Sequence, residues 1–304
     1  MSISSVLQEI TTEELKQQRK ESPGICLISA CKRGILTSWK VRLPEWFYDS
    51  NFWEQFAPIM FDDAHWEEVP EVAFGVTRLA ALNYCPETSA KLPKLPKLSK
   101  PAKILDMCCG FGRISSELAR RGFAVTGVDI TENYLKTAKE EAADENLDIE
   151  YIKDDARNFT RPDFFDAAVI LYNSFGFFSN QNDDRLVIRN LFESLKKGGS
   201  VIIESLGKEI AVRDFVENDW FERAGFKVLT EYKVLESWTF LKNRWMLIKD
   251  GKEYEKIFTQ RLYSAVELKT LLTEEGFSNI EIYGNWDKTP YNHRAAKLIA
   301  VGWK

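Results

Sequence analysis

The sequence predicts an α/β fold: a doubly wound, mostly parallel seven-stranded sheet, with a helical segment ahead of it and an antiparallel β meander inserted late in it. Three observations carry this. From residue 102 onward, strand-like and helix-like stretches alternate at the spacing of βαβ units. The first of these strands runs into a glycine-bearing turn, "DMCCGFGR" (106–113), and acids close the first three strands. Residues 227–263 then change to period-2 alternation, the pattern of a half-buried antiparallel ribbon.

Taken in order, residues 1–85 read as a helical, aromatic-rich lid. "TTEELKQQRK" opens with a capping box, Thr11 with Glu14. "WKVRLPEWFYDSNFWEQFAPIMFDDAHW" concentrates tryptophan, phenylalanine and tyrosine, either as core or as the wall of a ligand pocket. "EVAFGVTRLAALNYC" after Pro70 is a helix candidate. Residues 86–101, with four prolines and four lysines, form neither helix nor central strand and read as an exposed linker.

The α/β domain then covers 102–226 and 264–304. "AKILDM" is a strand, followed by the helix "RISSELARRG". "FAVTGVDI" is a strand, followed by a helix capped by Thr131. "IEYIKDDA" and the apolar "FDAAVILYNSF" are strands. "DDRLVIRNLFESLKKGG" is a helix with acids at its start and glycines at its end, and "SVIIESL" is the next strand. In the meander, turns are expected near Lys242-Asn243 and Asp250-Gly251. Ser264 and Glu267 make a capping box for the last helix, and "NIEIYGNW" and "AAKLIAVGW" are the final strands.

Bulk properties narrow the function. A net charge of −5 disfavours a nucleic-acid partner, which needs a basic face. No apolar run nears the ~20 residues that cross a bilayer, and the N-terminus lacks a secretory pattern, so the reading is cytoplasmic. Cys108 and Cys109 are adjacent rather than C-x-x-C, and the chain has only two histidines, His65 and His293, so neither a zinc site nor a dithiol motif is expected. The cysteines read as small loop residues, with a reactive thiol as the minor alternative.

In an open parallel sheet, ligands bind beyond the carboxyl ends of the strands. Gly110 and Gly112 let the backbone approach a ligand there. Asp129 can accept both hydroxyls of a ribose, and Asp155 can accept from an adenine amino group. A dinucleotide pattern would have a third glycine where Ser115 stands, and Asp106 with Asp129 would repel a pyrophosphate. The same acids suit a cation.

The series "ILDMCCGFGR…VTGVDIT…YIKDDAR…FDAAVILYNSFGFF…LKKGGSVIIE" resembles the class I S-adenosylmethionine (SAM)-dependent methyltransferases of the small-molecule type, which are Rossmann-like. The resemblance implies that Asp106 and the Gly110/Gly112 backbone hold the methionyl part of SAM. It places Asp129 on the ribose with Ile130 against the adenine, Asp155 and Ala156 at the adenine edge, and Leu171, Tyr172 and Asn173 facing the methyl. Cys108 stands where the family commonly has glycine. Arg113 is a candidate clamp for a carboxylate. The resemblance also makes the sixth strand parallel, so that its exit loop brings Tyr291 and His293 to the substrate mouth. Tyr172, Asn173 and His293 are the catalytic candidates, His293 as base, with His65 a lesser one; Tyr48, Glu204 and Tyr291 are substrate candidates. The expected acceptor is a small molecule methylated on N or O. The meander covers the site or makes a homodimer contact. A SAM-binding protein without activity, or an NAD-dependent oxidoreductase, is the alternative.

Overall fold

The computed structural model describes residues 45–82 and 100–304. The Thr11–Glu14 capping box and nearly all of the proline-lysine linker lie outside these residues. The main sheet has seven strands: β1 Lys103–Met107, β2 Ala124–Asp129, β3 Ile149–Lys153, β4 Phe165–Ile170, β5 Leu195–Ser205, β10 Ser278–Tyr283 and β11 Leu298–Trp303. Their spatial order is β10-β11-β5-β4-β1-β2-β3, and only β11 runs antiparallel to its neighbours. The order reverses beside β1, which pairs in parallel with both β2 and β4. The crevice at that switch point is where such a sheet receives a ligand.

The alternation of side chains along the strands explains the two helical layers. Ile104, Val125, Ala167 and Val169 face one side, where they meet α3 (Val69–Leu79) and α4 (Arg113–Arg120). Leu105, Val128, Ala168 and Ile170 face the other, against α6 (Gln181–Ser194) and α8 (Ala265–Glu274). Helix α5 (Glu132–Asp144) covers β3 through Leu135, Ala138 and Tyr151. Capping at α8 is the reciprocal pair of Ser264 and Glu267.

The helical segment ahead of the sheet divides by burial. Helix α3 has Val72, Ala73, Val76 and Leu79 fully buried, and a Cβ on its Gly75 would stand 2.7 Å from the Trp286 ring. This helix is therefore a layer of the α/β domain, so a boundary at residue 85 does not set it apart. A 3-10 turn (Trp46–Tyr48), α1 (Ser50–Met60) and α2 (Asp63–Glu67) lie ahead of it. Phe52 and Phe56 of α1 pack with Val228, Leu247 and Phe258 of a second sheet. Fully burying each such ring contributes about 1.5–3 kcal/mol.

That second sheet is antiparallel, in the order β6 (Asn218–Arg223), β7 (Phe226–Leu235), β8 (Phe240–Lys249) and β9 (Lys252–Arg261). Strand β6 precedes the residues expected for the meander. No turn forms at Lys242-Asn243, which lie inside β8. The chain reverses at Glu236, Ser237 and Trp238, all at positive φ, while Asp250-Gly251 does turn. The helix expected to run through "LKKGG" stops at Ser194. Leu195 begins β5, whose register shifts before Ser200, and the glycine pair sits in the strand. Thr131 occupies the N-cap of α5 without a side-chain cap, and its own N–H donates to Asp129.

Candidate functional site

The loop after β1 is built from left-handed residues: Cys108 at φ +63°, Gly110 at +56° and Gly112 at +72°. Gly110 also passes close under Phe61, whose ring would lie 3.2 Å from an added Cβ. Cys108 holds the left-handed conformation with a side chain, at a strain of about 1 kcal/mol. Beneath the loop, Asp129 accepts the Gly110 N–H at 2.8 Å and the Thr131 N–H at 2.8 Å. Asp106, buried at the end of β1, accepts from the Ser115 hydroxyl at 2.6 Å. Burial raises the Asp106 carboxyl, Ser115 partly offsets it and the neighbouring Asp129 charge adds to it; the result is about 6. Burial likewise pushes both thiols far up, Cys108 and Cys109 alike, so neither is a thiolate near neutrality.

Two cavities meet at this loop. A smaller one of about 120 Å³ is lined by Val128, Asp129, Ile130, Asp155, Ala156 and Phe178. A larger one of about 720 Å³ is lined by Asp106, Arg113, Leu171, Tyr172, Asn173 and Glu204, and reaches α1 and the second sheet through Phe52, Trp245 and Phe258. Cys108, Gly110, Trp53, Phe61 and Phe177 line both. Gly112 lines neither; it N-caps α4 with Tyr151 against it.

Along the carboxyl rim, Tyr172 and Asn173 are both left-handed, at φ +53° and +60°. Glu204 accepts the Tyr172 N–H at 2.5 Å, and its other oxygen faces Lys297 at 3.6 Å. Asn173 is engaged on both sides of its amide: Oδ1 accepts from the Leu206 N–H at 2.9 Å and Nδ2 donates to Gln260 at 3.0 Å. It therefore holds the loop. The Tyr172 hydroxyl is buried with no partner among the described residues. Its ring lies 3.8 Å from the Arg113 guanidinium carbon. Arg113, also buried, donates to the His65 carbonyl at 2.5 Å, and no carboxylate of the described residues pairs with it.

Three sequence candidates fall elsewhere. His293 is exposed and outside both cavities, and among the described residues only its carbonyl is engaged, by Arg213 at 2.7 Å. Tyr291 turns away to donate to Glu209 at 2.9 Å. The sixth strand does run parallel, but the loop after it folds back on Gly284 and α7 (Lys208–Arg213), carrying both residues off the mouth. Tyr48 is 49% exposed and lines neither cavity; its hydroxyl donates to Asp155 at 2.7 Å, at the smaller cavity rather than the acceptor side. Asp155 also pairs with Arg157 at 2.7 Å. Burial raises this carboxyl, but Arg157 and Tyr48 outweigh it and hold it below its ordinary range.

Sequence reasoning missed the residues that come from separate elements. Arg157 binds Glu45 as well as Asp155, tying the first 3-10 turn to β3. Gln260 donates to the Asn173 and Phe175 carbonyls, joining β9 to the rim. Neither carries a local pattern. His65 lines the larger cavity, and its partner Asp62 was legible only as one acid in "DDAHW".

A family profile described as "Methyltransferase domain" matches residues 104–199. These residues hold β1 to β4, the glycine loop and both acids beneath it. Over these residues the chain carries a methyltransferase domain of the class I SAM-dependent type. The methyltransferase is similar to a protein of Geobacillus sp. (strain WCH70) that carries a methyltransferase name, 27% identical over 215 residues, covering 66% of this chain and 84% of that one. In fold it is similar to a SAM-dependent methyltransferase from Clostridium acetobutylicum ATCC 824, with TM-score 0.66, 13% identity, and 84% and 98% of the two chains covered. It is also similar to SAM-bound CalS10, an amino pentose methyltransferase from Micromonospora echinaspora, with TM-score 0.59, 17% identity, and 83% and 97% covered.

The residues present fit this methyl donor. Asp106 and Asp129 make the loop acidic, as a sulfonium and an ammonium need and a pyrophosphate does not. Arg113 is a buried cation with an unmatched charge, suited to a carboxylate. When bound, SAM supplies a methyl group with a neutral thioether as its leaving group. The protein is an enzyme, and SAM is its cofactor.

Proposed function

We propose that the enzyme methylates an N or O atom of a small molecule held in the larger cavity. The observation that carries this is the shape of that space. It opens beside Asp106 and Tyr172, then runs between α1 and the second sheet, walled by Trp46, Phe52, Trp245 and Phe258. An aromatic-walled cleft suits a compact acceptor, and CalS10, of the same fold, acts on an amino pentose. The smaller cavity would hold the adenosine: Asp129 on the ribose, Ile130 against the ring, Asp155 with Ala156 at its edge. Asp106, Cys108 and Gly110 would hold the methionyl part, with Arg113 on its carboxylate and Leu171 and Tyr172 beside the methyl. Catalysis there would rest first on holding the acceptor lone pair in line.

The deciding experiment follows label from methyl-labelled SAM into a panel of low-molecular-mass amines and phenols, against protein and RNA pools. Label in small molecules alone supports the reading; label in a polymer pool overturns it. For an acceptor found this way, Trp245→Ala should lower kcat/KM about 10–100-fold, the loss of one buried aromatic contact. Affinity for S-adenosylhomocysteine should not change, because Trp245 lines only the larger cavity.

Asp106 gives a pH dependence with a definite sign. Its folded carboxyl titrates near 6, above the ordinary 3.8. The stability this group lends the free protein is therefore fully present below the ordinary value and lost as pH rises through about 6. A ligand ammonium prefers the ionised form, so binding weakens as pH falls through the same range. S-adenosylhomocysteine should bind about tenfold less tightly at pH ~5 than at pH ~7, with proton release on binding. Calorimetry in buffers of different ionisation enthalpy reads both, and Asp106→Asn should abolish the proton release.

A further inference from the structure

We infer that His65, oriented by Asp62, is the general base that takes the proton shed by the methyl acceptor. This rests on the small-molecule reading above. His65 sits on α2 and lines the larger cavity together with Asp106, Arg113 and Tyr172. Its Nδ1 is hydrogen-bonded to Asp62 Oδ1, which fixes the hydrogen on Nδ1 and leaves Nε2, unbonded among the described residues, as the acceptor. Asp62 is itself held from two sides. Its Oδ1 accepts the His65 N–H at 3.2 Å, and its Oδ2 pairs with Arg223 of β6 at 3.1 Å. The His65 carbonyl takes Arg113 Nη1, so the backbone that carries the imidazole is pinned to the start of α4, whose guanidinium stacks on Tyr172. A base, an orienting carboxylate and a fixed backbone are the three parts that such a site needs.

The other acids deep in this cavity are already engaged. Glu204 holds the Tyr172 N–H and Lys297, Asp106 holds Ser115, and Glu68 faces Lys297 at 3.9 Å. His293, the other histidine, lies outside it. Among the described residues, the charged groups around His65 are thus Asp62, at the N-cap of its own helix and bonded to the ring, Arg223 of the second sheet, which pairs with Asp62, and Arg113, which takes the His65 carbonyl. In the step itself, the acceptor oxygen or nitrogen forms its bond to the methyl carbon and the C–S pair stays on sulfur. The acceptor proton passes to Nε2, leaving an imidazolium against the Asp62 carboxylate. The partly exposed ring, 31% accessible, can then return that proton to water. The acceptor is accordingly a hydroxyl, or an ammonium that gives its proton to Nε2 before its nitrogen bonds the methyl carbon.

Two measurements test this on the full chain. Two-bond 1H–15N spectra of protein labelled at histidine contain two rings, assigned with His293→Gln. His65 should show the Nδ1–H tautomer, and Asp62→Asn should shift it; an Nε2–H tautomer overturns the inference. Second, transfer from labelled SAM is compared for catechol, which must lose a proton, and 4-nitrobenzenethiolate, which has none. His65→Gln should lower kcat on catechol about 100-fold and leave the thiolate rate and S-adenosylhomocysteine affinity unchanged. Catechol turnover retained in His65→Gln overturns the base alone. A wild-type enzyme that labels no member of the small-molecule panel counts against the acceptor reading instead, and the tautomer measurement then decides the dyad.

Discussion

Asp129→Ala should abolish tight binding of S-adenosylhomocysteine, weakening it by about 100-fold or more. The number follows from chemistry at one carboxylate. Two ribose hydroxyls donating to a charged acceptor are together worth about 3 kcal/mol, even at the lower values measured for such bonds, which is somewhat over 100-fold. The same carboxylate also receives the Gly110 and Thr131 amides. Its removal therefore frees the glycine loop, at a further cost of about 1–3 kcal/mol in stability. Calorimetric titration beside a melting curve separates the two losses. Asp129→Asn keeps one acceptor oxygen for the loop and should recover stability more than affinity. Titration with NADH should give no heat in either protein. Wild-type-like affinity in Asp129→Ala would remove this residue from the nucleoside site.

That this residue could be named from sequence at all reflects how local its surroundings are. Each of the first three parallel strands has an acid at or just past its end, and the strand pattern itself dictates that the ends share one rim. Asp106, Asp129 and Asp155 are thus placed by periodicity and topology rules, and they do line the paired cavities. The two helical layers follow from the same alternation of apolar residues. What escaped were contacts between elements far apart in sequence. Tyr48 meets Asp155 across 107 residues, and Asn173 meets Gln260 across 87. No pattern within either segment encodes its partner. His293 fails for a related reason: strand direction gave the correct edge of the sheet, but the loop after it folds onto α7 through Arg213, which direction alone does not specify. The expected turn at Lys242-Asn243 shows the limit of turn chemistry. Asn243 is buried in β8 and bonds the Leu241 carbonyl, so pairing across three strands overrode a two-residue turn signal.

The loop after β4 is the place where such distant contacts govern the site, and Gly176→Ala tests how firmly. Gly176 has φ +92° and its carbonyl accepts the Arg261 N–H at 2.7 Å. An added Cβ would run into the Arg261 carbonyl oxygen, a backbone atom that cannot rotate aside. Around this point β9 grips the loop repeatedly: Gln260 bonds the Asn173 and Phe175 carbonyls, and Arg261 reaches the Ser179 carbonyl at 3.2 Å. Beneath, Tyr263 donates to the fully buried Asp184 at 2.7 Å. Alanine must therefore either adopt a strained left-handed backbone against a clash or break the strand-to-loop bond. Together these cost about 3 kcal/mol, a fall in Tm of ~6–12 °C for a domain of this size. Phe175, Phe177 and Phe178 of the same loop line the smaller cavity, so affinity for S-adenosylhomocysteine should fall as well, while Asp129 and its two amide bonds stay in place. Differential scanning calorimetry with and without the nucleoside reads both effects. A melting point within ~2 °C of wild type would show that the loop can move off β9 freely, and that the second sheet does not set the geometry of the rim on which Tyr172 stands.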